Sequence, residues 1–125
     1  MKYLCMIYED ETVWQTLPKA EMDKVYAEYS AFKDDIRKSG HLLGCNPLQP
    51  TRTATIVRVR NGKLSTTDGP FAETKEQLGG YFLIEAKDFN DAIQVAARIP
   101  SARTGSIEVR PIMEFNEQKQ TMAAS

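Results

Sequence analysis

Apolar and polar positions divide the chain into a few distinct patterns. Lys2 to Tyr8 is almost unbroken in its apolar character, and Tyr81 to Ala86 is similar. Short continuous runs of this kind read as strands with apolar side chains on both faces. Between them, Met22, Val25, Tyr26, Tyr29, Phe32 and Ile36 recur at helical spacing. This stripe predicts an amphipathic helix with Glu21, Lys24, Glu28, Asp35 and Lys38 on its solvent side. Pro18 is tolerated in the first turn and Gly40 is the expected stop. Ahead of it, Glu9-Asp10-Glu11 ends the first strand, and a short helical turn is expected around Trp14, over Thr12 to Thr16.

The middle of the chain reads as β structure. His41 to Pro50 is apolar but interrupted by two prolines, which predicts a brief edge strand followed by a loop. From Thr53 to Arg60 the pattern alternates, with Thr55, Val57 and Val59 on one face and Ile56, Arg58 and Arg60 on the other. Asn61-Gly62 then predicts a type I′ hairpin, whose two central positions need positive φ, and Lys63 to Thr67 returns as the partner strand. Gly79-Gly80 leads into the strand at Tyr81. Asp88 is the expected N-cap of a second helix through Ala92, Ile93, Ala96, Ala97 and Ile99, ended by Pro100. Ser106 to Ile112 is the last strand. The pattern implies a domain over residues 1–115 and a polar tail over 116–125 that frays or packs as an arm.

This order is α+β: a ferredoxin-like βαββαβ antiparallel sheet with both helices on one face and an extra hairpin. Helices cover only one face of such a sheet, yet the runs at 2–8 and 80–86 are apolar on both. Burying one large apolar side chain contributes about 1.5–3 kcal/mol, so several left exposed make an adhesive surface. A homodimer packed sheet to sheet is therefore expected.

Composition narrows the class. A chain of 125 residues, 42% hydrophobic and 26% charged, is a folded domain of ordinary size. Its net charge of −1 comes from interleaved acids and bases, without the basic stripe that nucleic-acid binding needs. The N-terminal apolar run is too short to span a membrane and lacks the marks of a signal peptide, so a cytoplasmic location is expected. Cys5 and Cys45 have neither CxxC spacing nor a nearby histidine, which predicts reduced thiols, no metal site and no cofactor. The chain has no Ser-His-Asp order, nucleophile elbow, phosphate loop or dinucleotide fingerprint.

Candidate chemistry gathers around Thr66 to Phe82. Asp68 is either the carboxylate that fixes an Asp-Gly-Pro corner or a general base at a cleft mouth. Phe71 is expected to plug the core. His41 is the natural proton carrier by its pKa, or a donor to a terminal carbonyl. Thr74 and Lys75 are candidates to hold a small anion, with Glu73 or Glu76 pairing Arg110. Arg58 and Arg110, on strands, are either paired structural charges or carboxylate clamps.

Asp68 to Phe82 resembles the signature of the YCII-related family in its DGPF-domain branch, supported by Met1 to Tyr8 and Gly105 to Pro111. The resemblance spans about residues 1–115. It implies the ferredoxin-like fold assembled as a dimeric α+β barrel, and genes neighbouring extracytoplasmic-function sigma factors. An enzyme-like branch of the family pairs a histidine early in its first helix with an aspartate. Here Glu21, Met22 and Asp23 stand at that point and His41 is the lone histidine, so this pair is not implied.

Two functions fit these observations. One is a cytosolic homodimer that binds a small molecule or partner, linked to sigma-factor-associated regulation. The other is a cofactor-independent lyase or isomerase acting on a small organic acid. It would use Asp68 or His41 for proton transfer and an arginine to hold the acid.

Overall fold

The computed structural model describes residues 1–115; the expected tail lies outside the described residues. In chain order the elements are β1 (Lys2–Glu9), α1 (Glu11–Thr16), α2 (Lys19–Lys38), β2 (Leu42–Pro47), β3 (Thr55–Arg60), β4 (Lys63–Asp68), β5 (Gln77–Glu85), α3 (Phe89–Ala97) and β6 (Ser106–Pro111). Four strands form an antiparallel sheet in the order β2-β5-β1-β6, while β3 and β4 form a separate two-stranded ribbon. This is the ferredoxin-like arrangement, with the ribbon inserted between β2 and β5.

Local chemistry explains most of the boundaries. The Asp10 carboxylate caps α1 by accepting from the Thr12 N–H at 3.0 Å, and Asp88 caps α3 through the Asp91 N–H at 2.8 Å. At the end of α2, the Gly40 N–H bonds the Arg37 carbonyl at 3.2 Å and the His41 N–H reaches the Ile36 carbonyl at 2.9 Å. Gly40 has φ 82, the left-handed conformation that this Schellman closure requires. Asn61 (φ 52) and Gly62 (φ 73) make the type I′ turn of the ribbon.

Two boundaries differ from the sequence pattern. The last helix stops at Ala97, because Pro100 forces Ile99 into an extended conformation before a short 3-10 turn. Strand β5 starts at Gln77, so Gly79-Gly80 lies inside it. Ile7 pairs with Gly80 and Tyr8 with Leu78, which leaves Gly79 as an extra bulged residue.

The core lies between the sheet and its two long helices. Tyr3, Cys5 and Ile7 of β1, with Phe82 and Ile84 of β5, pack against Phe32 and Ile36 of α2 and Ala92, Val95 and Ala96 of α3. Phe82 meets Phe32 edge-on at 5.2 Å, a favoured aromatic geometry. Alternation sends Leu4 and Met6, with their partners Leu83 and Tyr81, to the opposite face, where they are half-buried. Both strands are thus apolar on both faces.

Phe71 corrects an expectation: it is 77% exposed rather than a core plug, and the Arg58 guanidinium sits 5.8 Å from its ring centre. An aromatic ring beyond the ribbon has no core within reach, so it stacks on a cation instead. Among the described residues no helix is long and apolar enough to cross a membrane.

Candidate functional site

At the end of the sheet where β1 finishes and β5 begins, α1 and the stretch of α2 from Met22 to Lys33 stand over the strands and enclose a cleft of about 620 Å³. That volume lies within the range of small-molecule sites. Its walls are Trp14 of α1, Met22, Tyr26 and Tyr29 of α2, and Leu78 and Phe82 of β5. Tyr29 lies parallel to Phe82, with ring centres 6.3 Å apart. Gly80 forms part of the floor, and a side chain there would meet the Asn46 carbonyl at 3.0 Å. Glycine is what lets β2 and β5 close beneath the cleft.

The polar groups of the cleft are already organised. Glu9, at the end of β1, accepts from the Ser101 hydroxyl at 2.5 Å and from the Thr104 hydroxyl at 3.2 Å. Ser101 is only 2% exposed, and its Oγ also contacts the Tyr29 hydroxyl. Burial pushes the Tyr29 phenol above its ordinary range; the Glu9 charge adds to that shift and the Ser101 contact opposes it. Across the cleft, Glu11 accepts from the Thr51 N–H at 3.1 Å and from the Thr51 hydroxyl. The Glu11 N–H donates to Gln77 Oε1 at 2.9 Å. These bonds tie α1 to β5 and to the segment before β3, so the Trp14 wall is held from two sides.

The residues expected from the sequence to carry chemistry lie elsewhere. His41 sits between α2 and β2, with Nδ1 2.7 Å from Ser39 Oγ and Nε2 3.0 Å from Asp91 Oδ2. Asp68 ends β4 and is exposed; beside it the Gly69 N–H bonds the Ala54 carbonyl at 2.8 Å and closes the root of the ribbon. His41 bonds Glu85 at one end of β5, whereas Thr51, just before the ribbon, is tied through Glu11 to Gln77 at the other. At the usual strand rise those ends are about 26 Å apart. Within one chain the two residues are not brought together.

Arg110 pairs with Glu108 at 2.5 Å, while Glu76 accepts instead from the Ser106 hydroxyl at 2.9 Å. Thr74 donates to the Glu76 carbonyl. Asp10 lies below the ordinary carboxylate range, mainly through the Thr12 hydroxyl and N–H and only slightly through Lys75. None of His41, Asp68, Thr74, Lys75, Arg58 and Arg110 lines the cleft, but Gln77 to Gly80, the second half of the signature segment, do. Among the described residues no cluster of three or more ligating side chains forms a metal site.

Sequence reasoning passed over Glu9, Tyr29 and Ser101. Tyr29 read as one more member of the helix stripe and Glu9 as a strand end. A signal was present: tyrosines in an apolar stripe carry a polar tip that seeks a partner when buried.

Fold and cleft together define a ferredoxin-like α+β domain with a ligand-sized cavity between its first helices and its sheet. A family model, the YCII-related domain, matches residues 1–116, and the chain belongs to the YCII-related family. An uncharacterised protein of Rhizobium meliloti (strain 1021) is 38% identical over 114 residues, covering 90% of this chain and 92% of that protein. Among solved structures, the fold resembles 5-chloro-2-hydroxyhydroquinone dehydrochlorinase (TftG) from Burkholderia phenoliruptrix AC1100, in complex with 2,5-dihydroxybenzoquinone. The TM-score is 0.53 at 13% identity, covering 92% of this chain and 96% of that one.

Proposed function

We propose that the protein is a small-molecule-binding module of the DGPF-domain branch, a cytoplasmic homodimer whose ligand occupies the cleft between α1, α2 and β5. The observation that carries this reading is the cleft itself: about 620 Å³, walled by aromatic side chains, with a buried polar end. The ligand is a small planar molecule, which suits the parallel Tyr29 and Phe82 rings. The family's genomic setting suggests a ligand-sensing role in sigma-factor-associated regulation.

Support for the dimer comes from Leu4, Met6, Leu83 and Tyr81, an apolar group on the face opposite the helices. Support for a reducing compartment comes from Cys5 and Cys45, which pair with opposite sides of Phe82. Two strand spacings put them about 9–10 Å apart, too far for a disulfide.

The test is a thermal-shift and calorimetric screen of planar hydroxylated aromatics, 2,5-dihydroxybenzoquinone included. A raised melting temperature that weakens in Trp14→Ala supports the cleft. A screen in which no planar compound binds would sink the proposal.

A second reading is a cofactor-independent lyase or isomerase. It draws support from the solved neighbour, a dehydrochlorinase with a dihydroxybenzoquinone bound. Turnover of a ligand found in the screen, followed by proton–deuterium exchange, separates the two readings.

A further inference from the structure

The hydroxyl chain at the inner end of the cleft has a fixed direction. Ser101 has one hydroxyl proton, and the Glu9 carboxylate only accepts, so that proton is donated to Glu9. The Tyr29–Ser101 contact therefore runs the other way, with the phenol donating to Ser101 Oγ. Since burial raises the Tyr29 phenol, its proton stays in place throughout the neutral range. The Tyr29 oxygen is therefore left with its acceptor side free of Ser101.

Two polar groups nearby are already engaged with the protein itself. Gln77 is engaged at both ends, accepting from the Glu11 N–H and donating to the Thr74 carbonyl. The Glu11 carboxylate is occupied by Thr51. Glu9 and Glu11 bring two negative charges to the lining, against the single positive charge of Lys33.

We propose that the chain Tyr29–Ser101–Glu9 is the recognition element of the cleft, selecting a neutral planar ligand by a hydroxyl or N–H group that donates to Tyr29. This rests on the cleft being the binding site. Tyr29 touches the ligand, whereas Ser101 and Glu9 are positioning residues that hold its proton away. The expected ligand class is a hydroxylated aromatic, and the charge of the lining disfavours the small carboxylic acid that the sequence suggested.

The test compares naphthol with methoxynaphthalene, which keeps the rings and the oxygen but cannot donate. Titration by fluorescence is expected to give about tenfold tighter binding of naphthol, the factor that corresponds to about 1.4 kcal/mol. In Tyr29→Phe the preference should fall to about twofold or less. Ser101→Ala frees the phenol proton to point into the cleft, so it should narrow the preference by strengthening methoxynaphthalene binding. This variant keeps the idea testable if Tyr29→Phe misfolds. Equal binding of the two compounds by wild type, or a preference that survives in Tyr29→Phe, overturns the inference and leaves the cleft standing. Binding of neither compound overturns both.

Discussion

His41 Nε2 lies 3.0 Å from Asp91 Oδ2, so the lone histidine clamps the exit of α2 to the first turn of α3. Its partner is a helix residue fifty positions on, and not Asp68 of the signature segment. The Asp91 carboxyl is held below its ordinary range, first by the Lys87 N–H and then by His41. A carboxyl depressed in the folded state contributes stability that is complete above its unfolded value. That contribution is lost as pH falls through the lower folded value. With an unfolded value of about 3.9, the loss is expected below roughly pH 4. Melting temperatures across the acid range should fall more gently for Asp91→Asn than for wild type. Superimposable acid limbs would dismiss the clamp.

Ser101 joins two polar groups that have few alternatives. Ser101→Ala removes the partner of both the Tyr29 hydroxyl and one Glu9 oxygen. The expected cost is about 1 kcal/mol, for the hydrogen bonds that are lost. This is small enough for the variant to remain folded. Urea unfolding of the two proteins checks it, and an unchanged midpoint counts against a buried network.

Gly105 lies against β1 with no room for a side chain. An added methyl group would overlap the Tyr8 carbonyl oxygen and approach Glu9 Cγ to 2.7 Å. Gly105→Ala is expected to destabilise by about 1–3 kcal/mol, since backbone has to move. Gly44 has nothing within 4 Å of such a methyl, so Gly44→Ala is the control, expected within about 0.5 kcal/mol of wild type. Equal melting temperatures for the two variants would refute the close approach.

Burial pushes the Cys5 thiol up to about 11 and leaves it 0% exposed, whereas Cys45 is partly exposed. At mildly alkaline pH iodoacetamide should label Cys45 first, and Cys5 only after unfolding. Mass spectrometry of the native and denatured protein reads this directly. Early labelling of Cys5 would contradict its place in the core.

Leu83 lies at the centre of the apolar face opposite the helices, paired across the strands with Leu4. If that face joins two copies, light scattering at micromolar concentration gives the dimer mass, and Leu83→Glu gives the monomer. A wild-type monomer under those conditions rules out the sheet-to-sheet dimer.

Much of the fold was legible because the residues that decide it are neighbours along the chain. The α2 stripe, the Gly40 stop, the Asp88 cap and the Asn61-Gly62 turn each express a local backbone or side-chain preference. The doubly apolar runs became β1 and β5, and their alternation already required both faces of the sheet to be apolar. Local pattern does not say which polar residues will meet. Ser101 and Glu9 are 92 positions apart, and Tyr29 and Ser101 are 72.

The sequence by itself determined the elements, their order and the family signature running from Asp68 to Phe82. Only the tertiary structure decided which part of that signature borders the cleft. Asp68 ends up at the root of an outlying ribbon, while Gln77 to Gly80 line the cleft. It also decided that Tyr29, Ser101 and Glu9 form one hydrogen-bonded chain. The reason is physical: periodicity records which side of an element is apolar, whereas a hydrogen-bonded chain exists only once packing brings distant groups within about 3 Å.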